Sequence, residues 1–267
     1  MRRLITFPCA GDILVGTLDA AKGTTGLLIV SGGNEIRAGA HRGMASLAAQ
    51  LAAAGIPVFR FDRRGVGDSS GENRGFAESA PDIAAAAATF CAEAGITRLV
   101  GFGNCDAATA LALFHCTAGI DALILANPWL ADERDALPPA EAIKARYAAR
   151  LRDPREWMRL LRGGVNIKNV LRGLRKISNI EPQEQDELTA QVFASLAVDP
   201  SPITILLADR DNTAIAFRAA WDAAGIAAEN THIRFEHCNS ASHSFAGAAD
   251  KVWLFDQISA ALSRTAR

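Results

Sequence analysis

The sequence predicts an α/β fold, a mostly parallel central sheet flanked by helices. Three observations carry this. Short apolar runs rich in β-branched residues alternate along the chain with alanine-rich helical stretches. The strand runs are continuously apolar rather than alternating, as expected of strands buried on both faces by helices. The 267 residues, 49% hydrophobic and 21% charged, suffice for one full core.

The elements follow in order. Residues 4–17 read as an antiparallel edge hairpin with its turn near Gly11-Asp12. Residues 26–30 (GLLIV) form the first buried strand and end in Ser31-Gly32-Gly33. A helical pattern over 41–54 stops at Gly55, a good C-cap. Residues 57–61 (PVFRF) are a strand, 80–94 a helix, 98–102 (RLVGF) a strand, and 105–116 a helix. Residues 122–126 (ALILA) give another strand. Much later come strand 203–207 (ITILL), helix 214–224, strand 232–235 and helix 250–263.

One interval breaks the rhythm. Between Trp129 and Val198 there is no strand-like run. Residues 144–176 are crowded with lysine and arginine, opposed only by Asp153 and Glu156, and carry apolar residues from Trp157 to Leu174. The reading is a helical lid over 131–196, inserted between core segments 1–130 and 197–267. Such arginines cover apolar surface with their stems on a solvated helix face. The sharper expectation is that they steer an anionic substrate or carrier, or touch an anionic lipid surface.

Composition excludes several function classes. A net charge of −1 gives no reason to expect nucleic-acid binding. Cys9, Cys91, Cys105, Cys116 and Cys238 are odd in number and widely spaced, without CxxC, which argues against a disulfide framework or zinc site. No glycine-rich phosphate loop or metal motif occurs, so the reading requires no cofactor and no metal. The apolar stretch after Arg2 and Arg3 is broken by Pro8, Gly11 and Asp12, and no apolar run approaches the roughly 18 residues of a membrane span. The expected location is the cytoplasm. Oligomeric state is not legible.

Chemistry is expected at the carboxyl ends of the strands. The strand at 98–102 runs into Gly103-Asn104-Cys105-Asp106-Ala107, a small-x-nucleophile-x-small pattern at a strand-to-helix turn. A sharp turn strains its central residue and demands small neighbours two positions away. Cys105 then projects from a helix start, where free N–H groups and the dipole favour a thiolate. The backbone N–H of Asp106 is one expected oxyanion donor, and that of Gly33 or Asn34 the other. Asp211, three residues after Ala208, is the expected acid; Asp209 is its rival, and Asp211 also suits a helix cap. His243, set among Ser240, Ser242 and Ser244, is the expected base. These residues complete the order nucleophile, acid, histidine. Glu35, Arg37 and His41 follow the oxyanion turn as candidate substrate contacts or as exposed loop residues.

The stretch Phe61-Asp62-Arg63-Arg64-Gly65-Val66-Gly67-Asp68-Ser69-Ser70-Gly71 resembles the F-D-x-R-G-x-G-x-S-x-G segment of the α/β-hydrolase superfamily. The resemblance implies the α/β-hydrolase fold, with this segment shaping a turn near the active site. A narrower resemblance is carried by Gly32-Gly33-Asn34-Glu35-Ile36-Arg37-Ala38-Gly39-Ala40-His41-Arg42 and by Tyr147, Arg155-Glu156-Trp157 and Leu160-Leu161-Arg162-Gly163-Gly164-Val165. These look like the exosortase A system-associated hydrolase 1 group of bacteria, which implies a setting in exopolysaccharide metabolism. Cysteine replaces the usual serine, as in dienelactone hydrolases, and Ala107 replaces the last glycine of G-x-S-x-G.

The expected reaction is hydrolysis of an ester or thioester through Cys105, His243 and Asp211, by a thioester acyl-enzyme. The substrate is a small-molecule or carrier-bound acyl compound. An acyltransferase using the same triad and a catalytically silent binding protein of the same fold are the alternatives. Product analysis with and without a polyol acceptor separates the first; failure of Cys105 to react with any electrophile favours the second.

Overall fold

The computed structural model describes residues 1–130, 182–198, 200–226 and 231–265. Its strands are β1 (Arg2–Cys9), β2 (Asp12–Asp19), β3 (Thr25–Val30), β4 (Val58–Phe61), β5 (Arg98–Asn104), β6 (Ala122–Ala126), β7 (Ile203–Ala208) and β8 (Ile233–Cys238). Its helices are α1 (Gly43–Ala53), α2 (Ala80–Ala94), α3 (Asp106–Phe114), α4 (Pro182–Val198), α5 (Asn212–Ala224) and α6 (Ala248–Thr265). The strands form one sheet in the order β1-β2-β4-β3-β5-β6-β7-β8. β2 runs antiparallel to β1 and β4, and all the other pairs are parallel. The hairpin turns through Ala10 and Gly11, both at positive φ (51° and 92°), the turn that matches the twist of paired strands.

Both faces of the sheet are buried, which explains the unbroken apolar runs. Along β3, Leu28 and Val30 face a cluster built with Ile83 of α2, Leu111 of α3, Val192 of α4 and Phe217 of α5. Leu27 and Ile29 face the opposite cluster, with Leu47 and Leu51 of α1 and Leu254 and Ile258 of α6. Each such side chain, fully buried, contributes roughly 1.5–3 kcal/mol.

The helix expected from residue 41 starts later. Ala40–Arg42 is a 3₁₀ turn in which His41 and Arg42 are left-handed, and α1 begins at Gly43. His41 and Arg42 are exposed, so no core contact holds them helical; the buried face starts at Leu47. The basic run at 144–176, with most of the expected lid, lies outside the described residues. Helix α4 is the described part of that interval. Val192, Phe193 and Leu196 join the core, and Ser195 Oγ donates to the Ala112 carbonyl at 2.6 Å. Among the described residues no helix is long and apolar enough to cross a membrane.

Register levels the carboxyl ends of the parallel strands. Val30 pairs with Gly103, Asn104 with Ala126, Ala126 with Leu206, and Ala208 with Cys238. The residues just past these ends therefore meet on one edge.

Candidate active site

β5 extends through Gly103 and Asn104 to Cys105, which sits at φ 63°, ψ −130° before α3 begins. A non-glycine residue held there stores strain of about 1–3 kcal/mol. The surrounding packing enforces it. A Cβ on Gly103 would lie 2.7 Å from the Ala107 carbonyl carbon and oxygen and 2.9 Å from the Ala108 nitrogen. Cys105 N donates to the Ala126 carbonyl at 3.0 Å, tying the turn to β6.

Past β7, Asp211 makes the contacts of a helix cap and of a histidine partner together. Its Oδ2 accepts from Thr213 N (3.2 Å) and Ala214 N (3.3 Å), capping α5, and also lies 2.9 Å from His243 Nδ1. Asp209 turns away to His237 at 2.7 Å in an exposed pair. The serines around His243 fix its loop: Ser240 Oγ donates to Asp250 at 2.8 Å, Ser242 N to Ser240 Oγ at 3.0 Å, and Ala246 N to Ser242 Oγ at 2.9 Å. Phe245, left-handed and buried, stacks on Trp253 at 5.7 Å.

His243 and Cys105 line the same cavity. The hydrogen bond to Asp211, then the neighbouring Cys105 side chain, push the His243 ionisation up to about 10 against the opposing pull of burial. Because the folded-state value is raised above 6.5, the stabilisation is complete below that pH and is lost as pH rises through about 10. The expected result is that His243→Ala costs more stability at pH 6 than at pH 10.5, read from urea midpoints of parent and variant. Cys9 and Cys238 contrast with this: burial and nearby carboxylates push both thiols up, Cys9 to about 11.

One fully buried side chain links the three loops. Asn127, just past β6 and left-handed at φ 41°, donates through Nδ2 to Asn104 Oδ1 (3.2 Å) and to the His243 carbonyl (3.1 Å). Its Oδ1 accepts from Ala208 N at 2.9 Å.

A cavity of about 570 Å³ opens on this edge, lined by Cys105, Asp106, His243, Gly33, Asn34 and Glu35 among others. Asp106, as the first residue of α3, has no intrahelical acceptor for its N–H. Gly33 N–H donates instead to the Asp106 carboxylate, 2.8 Å from each oxygen. Asn34 Oδ1 is held by Asn73 Nδ2 at 2.7 Å.

Two expected substrate contacts do not join the site. Arg37 is folded away: its guanidinium bonds the fully buried Asp62, Asp68 at 2.8 Å and Thr17 Oγ1 at 3.0 Å. The buried Asp62 carboxylate needs a cation, and Arg37 supplies it. His41 is exposed, and Ala40 and Met44 line the wall on its side. Three features are not among the expected site residues: Asn127, the Asp106 carboxylate and Arg63. Asn127 directly follows a predicted strand, the same signal that singles out Cys105 and Asp211.

A family model described as the alpha/beta hydrolase family matches residues 27–253. No curated protein matches the chain by sequence. Among solved structures, DcsB in complex with its substrate analogue is 16% identical, with 99% of each chain covered and a TM-score of 0.64. An esterase of Pyrococcus furiosus is 14% identical, with 100% of this chain and 91% of that one covered and a TM-score of 0.63. An α/β serine hydrolase without lid from Xanthomonas campestris is 14% identical, with 98% and 94% covered and a TM-score of 0.60. At these identities the likeness is one of fold.

Proposed function

Because the chain belongs to the alpha/beta hydrolase family, we propose that it cleaves an ester or thioester with Cys105 as nucleophile. The observation that carries the reading is the chain of contacts from Asp211 through His243 to Cys105, at the strained turn before α3. Asp211 orients the imidazole, and His243 deprotonates Cys105. The thiolate sulfur bonds the acyl carbon, and the oxyanion forms toward Asp106 N–H and Gly33 N–H. Collapse expels the alkoxide or thiolate leaving group, which takes the His243 proton. In the acyl-enzyme Cys105 carries no charge, so its share of the rise in His243 is gone. The imidazole then deprotonates water, which releases the acid and regenerates the thiol. A thiolate favours activated esters and thioesters, because its acyl-enzyme is itself a thioester.

Glu35 and Asn34 in the cavity wall suit a polar acyl compound. The resemblance to the exosortase A system-associated group supports a setting in exopolysaccharide metabolism, and the basic run at 144–176 supports an anionic substrate or carrier.

Incubation with a panel of acyl thioesters and p-nitrophenyl esters tests the reading. The expected result is an acyl adduct mapped to the Cys105 peptide, and turnover that disappears in Cys105→Ala while its circular dichroism is unchanged. Equal turnover in both proteins removes Cys105 from the mechanism.

A further inference from the structure

The residue after the nucleophile carries a carboxylate, the wrong charge to stand beside a developing oxyanion. Both Asp106 oxygens accept from Gly33 N–H at 2.8 Å. That N–H is the second oxyanion donor assigned above, so the protein's own carboxylate fills the hole. A carbonyl oxygen arriving there meets an occupied donor and a like charge. The Asp106 side chain is only 12% exposed, so water screens it weakly. The neighbouring chain is shaped around it: a Cβ on Gly32 would strike Asp106 Oδ1 and lie 2.8 Å from the Asn104 carbonyl.

A second seat for the carboxylate is adjacent. Arg63, with a side chain 3% exposed, donates from Nη2 to the Gly33 carbonyl. The same Nη2 is 3.7 Å from Asp106 Oδ2, an ion-pair distance but beyond hydrogen-bond reach. Its Nε and Nη1 are buried without an acceptor among the described residues. A buried guanidinium with unfilled donors favours the approach of an anion. Movement of Asp106 toward Arg63 exchanges one backbone N–H for charge-assisted bonds. The same movement uncovers Gly33 N–H.

We propose that Asp106 gates the oxyanion hole, closed on Gly33 N–H in the resting protein and open when it pairs with Arg63. The gate rests on the reading of Cys105 as an acyl-accepting nucleophile. It excludes small carbonyl compounds that cannot displace the carboxylate. A substrate with enough contacts along the cavity to seat its carbonyl opens it, so remote binding is spent on assembling the hole.

Two rates at Cys105 test the gate, each followed by peptide mass. Acylation by p-nitrophenyl acetate forms the S–C bond, expels p-nitrophenolate and passes through an oxyanion. Alkylation by iodoacetamide forms an S–C bond at a saturated carbon, expels iodide and needs no hole, so it corrects for any change in thiolate reactivity. Asp106→Ala keeps the backbone N–H and removes the plug. Its ratio of acylation to alkylation is expected to rise at least about tenfold over the parent, since one oxyanion donor is worth roughly 10²–10³ in rate. Arg63→Met removes the open seat, and its ratio falls. Asp106→Asn, which is isosteric and still fills the site without charge, lies between parent and Asp106→Ala and supplies the comparison if the alanine variant folds poorly. A parent acylated at Cys105 whose ratio does not rise in Asp106→Ala or Asp106→Asn overturns the gate and leaves the acyl-transfer reading standing. Alkylation of Cys105 with no acylation in any variant overturns both.

Discussion

Asp211→Asn is expected to lower kcat for the best acyl substrate by about 10²- to 10⁴-fold while the cap of α5 is kept. The two halves of that expectation have separate physical origins. Asp211 Oδ2 caps α5 through Thr213 N and Ala214 N, and asparagine caps a helix as well as aspartate does. The oxygen that caps α5 is the one that meets His243 Nδ1, so an amide oxygen in its place keeps all three contacts and loses only the negative charge. A neutral acceptor no longer stabilises the imidazolium that forms when His243 takes the Cys105 proton. The ionisation of His243 falls too, because the Asp211 hydrogen bond is the largest cause of its rise to about 10. The alkaline limb of kcat/KM therefore moves to lower pH in the variant. Asp209→Asn is the control: it alters only an exposed pair with His237 and leaves both kcat and the limb in place. Equal losses in the two variants would falsify the assignment of Asp211 as the orienting acid.

The sequence reveals the sheet because burial on both faces leaves a plain mark. β3, β5, β6 and β7 each hold an unbroken apolar run, and their order along the chain is the order of the elements. Strand ends are less visible. β5 continues through Gly103 and Asn104, and β8 through Glu236, His237 and Cys238, where hydrogen bonding rather than apolar content sustains the strand. Cys105, Asp211 and His243 are legible because each lies beyond a strand end, and register brings such ends level. The choice of Asp211 over Asp209 is not legible. Both follow β7, and only the turn geometry aims one at His243 and the other at His237. Arg37 shows the opposite failure. Closeness to Gly33 in sequence suggests the cavity, but the unpaired charge of buried Asp62 draws the guanidinium away. The direction of the Asp106 side chain has no sequence signal at all, since a residue at a helix start is equally suited to stabilising the dipole.

Asn127 gives the last large effect, and it acts through other residues. The side chain is fully buried and joins Asn104 beside Cys105, Ala208 before Asp211, and the backbone of His243. Asparagine suits the site twice over: it tolerates the left-handed φ of 41°, and it offers donor and acceptor from one planar group. Asn127→Gly keeps the backbone conformation while removing all three bonds, so strain does not confound the result. The buried Ala208 N–H and the carbonyl of His243 then lose their partners, at about 1–3 kcal/mol for each group that finds no water. This is expected as a lower urea midpoint with an unchanged slope. The catalytic loss is expected to be larger in proportion, about 10²-fold in kcat with KM little changed, because displacement of reacting groups by about 1 Å has that effect. Asn127→Asp separates positioning from bulk stability. Burial keeps its carboxyl protonated, so it accepts from Ala208 N–H and donates to only one of Asn104 Oδ1 and the His243 carbonyl; stability recovers in part while kcat and the His243 limb of the pH profile stay perturbed. A kcat that recovers in step with stability would make Asn127 a packing residue and nothing more.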